Sequence, residues 1–212
     1  NSVGAVSSYN FTNVTENHTI SATFITSSRY PIQWSTAESN GWANPLGEGK
    51  ELITDIEFDY NSDIYLQKRG KRHVGVDIVT QDETQGETNV YAIADGTVDY
   101  VFTEDSWYDK YGILRNHSVI FIKHTNSENE NLFAIYGHVL AKDSLGSTVK
   151  AGEKIGVVKQ SGTPCHLHFG INTFSERNDF YYGIYGWGRV PADANPSEYD
   201  WVDPIDYLNT HS

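Results

Sequence analysis

Three short clusters in this chain carry side chains whose types and spacing suit metal binding and proton transfer: His73-Val-Gly-Val-Asp77, Tyr136-Gly-His138 and His166-Leu-His168. Val74, Val76, Ile78 and Val79 make the first a strand. Residues 73, 75 and 77 then face one side. An ideal strand would set His73 and Asp77 roughly 13 Å apart at about 3.3 Å per residue. A shared ion needs both donors within about 2.0–2.2 Å. The chain must therefore bend, or the long imidazole must lean toward the carboxylate, and Gly75 sits where a bend needs room. In His166-Leu-His168 the i,i+2 spacing points both imidazoles to one face and sends Leu167 into the core. Two imidazoles side by side are costly to bury without a partner, and a metal is the commonest one. His138 ends an apolar run, where a side chain emerges into a cleft.

Three protein ligands with an open fourth position mark a catalytic rather than a structural zinc. His73, Asp77 and one of the pair 166/168 supply three. The other imidazole of the pair and His138 remain to take a proton and to stabilise a charged tetrahedral species at neutral pH. No nucleophile elbow, phosphate loop or HExxH helix is present, so hydrolysis of an amide by a zinc-activated water leads. The other histidines read as structural. His117 and His124 are seven apart and would face opposite sides of one strand, and His18 and His211 lie near the ends. Cys165 reads as a small packed residue, since its side chain would alternate away from His166.

The elements that must position these groups are short β-type runs separated by turns: 73–80, 90–94, 96–102, 117–124, 132–136, 154–159 and 166–172. No stretch keeps a 3.6-residue apolar period over three turns. The pattern predicts an all-β sandwich or open barrel. The stretches 30–56 and 180–201 read as loops, the second rich in Tyr, Gly and Trp. Residues 203–208 read as a short closing tail. Residues 9–14 and 18–24 alternate as two N-terminal strands around Asn17. The sequons at Asn10, Asn13, Asn17 and Asn116 read as by-products of Thr-rich strands.

Composition removes several classes of function. With 15 basic and 28 acidic residues among 212, the net charge is −13. A nucleic-acid partner needs a basic face, and an anionic membrane repels this one. Apolar residues at 38% and aromatics at 13% argue for a folded chain. No apolar run approaches the roughly 20 residues of a span. A single cysteine rules out an internal disulfide framework. Without a signal peptide or initiating Met, the chain reads as a mature or excised segment.

Taken in order, His73-x-Gly-x-Asp77, Tyr136-Gly-His138 and His166-Leu-His168-Phe resemble the three motifs of the lysostaphin-type zinc metalloendopeptidases, peptidase family M23. Val90–Val98, Val149–Gly156 and Asp203-Pro-Ile-Asp-Tyr-Leu208 resemble supporting stretches of that family, and the similarity runs from about Tyr30 to Leu208. The resemblance implies one zinc ion held by His73, Asp77 and His168. It implies that His166 and His138 are catalytic, with His166 favoured as general base and His138 as oxyanion stabiliser. Tyr65 is the nearest candidate for the tyrosine that often aids the transition state. The implied fold is the duplicated hybrid-motif β-sandwich or open barrel with long surface loops. The implied substrate is peptidoglycan, cut in stem peptide or cross-bridge by a secreted, cell-wall-associated monomer of a bacterium, with neither nucleic acid nor membrane as partner. Phe11–Phe24 resembles the end of an internalin-type B-repeat, which divides the chain into a repeat tail or hairpin at 1–28 and a peptidase domain at 29–212.

Two departures from the family touch the substrate groove. The segment 158–165 before the last motif is short, and Gly170 stands where relatives often carry an acid. The acidic charge is also unlike basic wall-lytic enzymes, so charge would not hold this domain to an anionic wall. The aromatic run 180–187 is packed structure or a sugar-stacking surface. The rival readings are a zinc-binding module that no longer cuts, a phosphotransferase IIA-like domain and a biotinyl or lipoyl carrier. The filled histidine positions oppose the first, His166-x-His168 the second, and the lack of a lysine at a hairpin tip the third.

Overall fold

The computed structural model describes residues 30–32, 42–48, 50, 52–56, 58, 71–80, 87–102, 107–108, 114–115, 118–125, 131–159, 165–173, 189–191 and 193–211. Tyr65, the proposed N-terminal hairpin, His18, His117, the sequons and the aromatic run 180–187 lie outside them. In chain order the strands are β1 (Tyr30–Ile32), β2 (Leu52–Ile56), β3 (Lys71–His73), β4 (Val76–Val79), β5 (Glu87–Tyr91), β6 (Gly96–Phe102), β7 (Trp107–Tyr108) and β8 (Leu114–Arg115). They continue as β9 (Val119–Thr125), β10 (Asn131–Gly137), β11 (Val139–Ala141), β12 (Thr148–Val149), β13 (Lys154–Lys159), β14 (His166–Asn172), β15 (Arg189–Pro191) and β16 (Trp201–Val202). One helix, α1 (Pro204–Thr210), closes the described chain.

The main sheet runs β1-β2-β4-β14-β10-β9-β6-β12, and β16 joins β14 beyond the end of β4. A smaller sheet runs β11-β13-β5, and β15 pairs with β3. Every pairing among the described residues is antiparallel. The chain is thus all-β, as its two-residue alternation predicts.

The main sheet is buried on both faces because its central strands are apolar at odd and even positions. Ile120, Ile122, Leu132, Ala134, Tyr136, Leu167, Phe169 and Ile171 pack on one side with Val90, Ile93, Val139, Ile155 and Val158 of the smaller sheet and its turns. Val119, Phe121, Phe133 and Ile135 face the other side, with Val74, Val190 and Trp201. On β14 the even residues, His166, His168, Gly170 and Asn172, share this second face.

Four sequence expectations are corrected. The stretch 30–56 is not a plain loop, since it contributes β1 and β2 to the main sheet. Residues 73–80 are not one strand, since β3 ends at His73 and β4 begins at Val76. The segment 180–201 is not all surface loop: it holds β15, a 3-10 turn at Pro196–Tyr199 and β16, with Val190, Ala194 and Trp201 buried. The closing tail is a helix. Asp203 Oδ1 accepts the backbone N–H groups of Ile205 and Asp206, and Pro204 takes the first turn, where its missing N–H costs nothing.

Candidate active site

Antiparallel register places the first ligand pair. Asp77 on β4 lies directly opposite His168 on β14, so both side chains rise from the same face as cross-strand neighbours. On the other edge of β14, Gly137 is opposite His168. A Cβ at Gly137 would come within 2.9 Å of His168 Cβ, so the glycine leaves the imidazole its space. His73 reaches the pair because the chain bends at Val74–Gly75. Gly75 has φ +154°, and a Cβ there would meet His168 Cε1 and the Phe169 carbonyl oxygen at 2.8 Å. Only glycine serves this position. β15 steadies the outer end of the bend, with Arg189 opposite His73.

The result is a tight triangle. His73 Nε2 is 2.8 Å from His168 Nδ1 and 3.1 Å from Asp77 Oδ1, and His168 Nδ1 is 2.9 Å from Asp77 Oδ1. All three residues are buried. Donors about 2.0–2.1 Å from a tetrahedral zinc stand about 3.3–3.4 Å apart, so a slight opening of the triangle would seat the ion. Two imidazole nitrogens and a carboxylate oxygen aimed at one point suit zinc in chemistry as well as in spacing.

The other two imidazoles stand beside this triangle. His166, two residues before His168 on the same face, has Nε2 3.6 Å from Asp77 Oδ2 and keeps 18% of its side chain exposed. His138 leaves β10 through a left-handed residue, φ 64°, and its N–H donates to the carbonyl of Ser118 at 2.8 Å. That turn brings its ring edge-on to His166, centroids 4.8 Å apart and planes at 86°. The half-buried pair is more exposed than the triangle, of which His168 keeps 8% of its side chain open, so the pair stands where a proton can exchange with water.

Burial by itself would raise the Asp77 pKa. The charges of His73 and His166, with hydrogen bonds from His168 and His73, outweigh it and hold the carboxyl well below the usual range. The oxygen offered is therefore a carboxylate. His124 is a different case. Burial pushes it down to about 4. Its Nδ1 donates to the Asp95 carbonyl, its Nε2 accepts from the Tyr136 hydroxyl, and that hydroxyl accepts from Ile93 N–H. It is a satisfied core residue, as expected for one outside the three clusters.

Five of the six site residues read from sequence thus come together: His73, Asp77, His138, His166 and His168. Cys165 is buried away from the triangle, its carbonyl accepting from the N–H and Oγ1 of Thr80. Sequence reasoning missed the Ser118 carbonyl that holds His138 and the strand β15 that flanks His73. Neither leaves a signal, because both act through backbone. Gly137 was visible in Tyr-Gly-His as a residue without a side chain, but its reason, the ring opposite, was not.

The sequence model of peptidase family M23 matches residues 71–180, just over half of the chain. Among solved structures, the chain is similar to the catalytic domain, as a point mutant, of EnpA, a prophage-encoded M23 protein of Enterococcus faecalis. That match has TM-score 0.43 and 22% identity and covers 72% of this chain and 95% of that one. It is similar to Csd3 of Helicobacter pylori, with TM-score 0.40 and 22% identity over 80% of this chain and 39% of that one. Lysostaphin, solved by NMR, gives TM-score 0.40 and 19% identity over 87% of this chain and 56% of that one. No curated protein matches.

Proposed function

This chain belongs to peptidase family M23, and on that premise we propose that it is a zinc-dependent endopeptidase that hydrolyses peptide bonds of bacterial peptidoglycan, in the stem peptide or the cross-bridge. The observation that carries the reading is the triangle of His73 Nε2, Asp77 Oδ1 and His168 Nδ1, 2.8–3.1 Å on a side. These three residues would hold the metal, which supplies a Lewis acid that polarises a carbonyl and lowers the pKa of water. The choice of peptidoglycan rests on the resemblance of the three motifs to the lysostaphin-type enzymes. In this reading the domain works outside the cell, at the wall.

His166 is the general base. Its Nε2 faces Asp77 Oδ2 from the wetter side of the site, where it takes a proton from the attacking water and returns it to the leaving amine nitrogen. The ring N–H of His138 donates to the oxyanion of the tetrahedral species, a task suited to a side chain fixed by its own backbone geometry. Tyr65 is assigned as a second donor to that oxyanion, to be checked by comparing Tyr65→Phe turnover with the parent.

The test is to incubate purified peptidoglycan with the protein, with and without a chelator, and to count new free amines. Release that stops on chelation and returns with zinc supports the reading. A protein that carries zinc and releases none is a binding module instead. Mass spectrometry of the fragments then identifies the bond cut.

A further inference from the structure

Gly170, where the chain departs from its family resemblance, lies two residues past His168 on the same face of β14. A Cβ at 170 would stand 3.1 Å from Cζ3 of Trp201, 3.1 Å from the Val74 carbonyl oxygen and 3.7 Å from Gly75 Cα. Val74 and Gly75 are the bend that turns His73 back toward Asp77. A tryptophan edge and this bend therefore flank the space a side chain at 170 would occupy.

Trp201 is brought there by a second use of one strand edge. β4 pairs with His166–Phe169 of β14, and β16 pairs with Ile171 and Asn172, setting Trp201 opposite Asn172. Asn172 Nδ2 donates to the Tyr199 carbonyl at 2.8 Å, Thr173 N–H donates to the Asp200 carbonyl at 2.9 Å, and Asp200 turns the chain with φ 59°. Trp201 is 3% exposed and shares its apolar cluster with Val74 and Val190.

We propose that Trp201 is a positioning residue for the metal centre: seated over Gly170, its ring backs the Val74–Gly75 bend and so keeps His73 and Asp77 against His168. The proposal rests on the zinc reading above. Among the described residues Val74 and Gly75 lie between the paired residues of β3 and β4 and belong to neither pairing, and Val74 is buried in the apolar cluster that holds Trp201, so packing there bears on the position of the bend. Packed interiors relax only partly around a lost group. Removing the ring lets the bend shift and His73 Nε2 drift from the other two donors.

The experiment measures zinc dissociation constants by chelator competition, with visible absorption of the cobalt-substituted protein as a reporter of ligand geometry. The proteins are the parent, Trp201→Leu, Trp201→Phe, Gly170→Ala, the double variant Gly170→Ala with Trp201→Leu, and Phe121→Leu. Phe121 belongs to the same apolar cluster but sits on β9, outside the contacts at Gly170, so its variant controls for lost packing alone. Trp201→Leu should weaken zinc about tenfold, the lower end for groups that support a ligand from behind, and should change the cobalt bands. Trp201→Phe should fall between it and the parent. Gly170→Ala should weaken zinc alone and less than additively in the double variant, since the leucine makes way for the methyl. Phe121→Leu should lose stability and keep the parental affinity and spectrum.

Trp201→Leu within about twofold of the parent overturns the proposal, as does Phe121→Leu weakening zinc equally, or strict additivity at 170 and 201. If Trp201→Leu does not fold, Trp201→Phe and Gly170→Ala decide by the same criterion. A parent that binds no zinc overturns the metal reading itself.

Discussion

His166 and His168 share a strand face two residues apart, so their spacing alone does not assign one to the metal and the other to the proton. Register sets them apart, and the proposed division of roles rests on it: Asp77 stands opposite His168, whereas the cross-strand partner of His166 is Val79. The roles separate experimentally. His138→Ala and His166→Ala should each lower peptide cleavage by about 10²–10⁴-fold while elemental analysis still finds about one zinc per chain. Loss of zinc in either would reverse the assignment. Gly75→Ala should do the opposite, since its Cβ would stand 2.8 Å from the His168 ring at a φ that L-residues rarely adopt. Zinc content should fall with it, although no ligand has been altered. Residue types and order made this site legible from the sequence; the distances that separate ligand from base were not.

At the scale of elements, the strands expected near 96–102, 117–124, 132–136, 154–159 and 166–172 form there apart from their ends, whereas 73–80 breaks in two and the strand expected at 90–94 is Glu87–Tyr91, with residues 92–95 in a turn. The misread elements were those whose structure comes from distant partners. β1 and β2 form because β4 offers an edge, and β15 because β3 does, and nothing local in Pro-containing segments announces this. The helix α1 was readable from Asp203-Pro204 as cap and first turn. β9 and β10 carry the buried pair His124 and Tyr136, which gives a prediction. Folded His124 titrates near 4 and the unfolded chain near about 6.5. Above about 6.5 both states are neutral and the contribution is complete. As pH falls, the unfolded chain takes up a proton that the folded one refuses. Stability should therefore drop between about pH 6.5 and 4, by at most about 3 kcal/mol, and level off below. Urea midpoints across that range check it, and the excess slope should be absent in His124→Leu. The hydroxyl of Tyr136 serves both His124 and Ile93, so Tyr136→Phe should cost about 1–3 kcal/mol in the same assay.

At the scale of the molecule, the site is a junction between remote parts of the chain: His73 and Asp77 precede β5 to β13, and His168 follows them. An ion held there binds only the folded arrangement. Zinc at about 100 times its dissociation constant should add about 2.7 kcal/mol. Scanning calorimetry with and without chelator should show that gap in the parent and not in His73→Ala. By itself the sequence determined the all-β class, the net charge of −13, and which residue types would carry the chemistry. These follow from local alternation, charge and donor identity, which are properties of neighbours along the chain. Only the tertiary structure decided that His168 rather than His166 pairs directly with Asp77 across the strands, that the strand breaks at Gly75, and that Trp201 fills the place above Gly170. Each of these depends on strand register and close packing between segments far apart in the chain, and one residue of slip would turn every side chain of β14 to the other face.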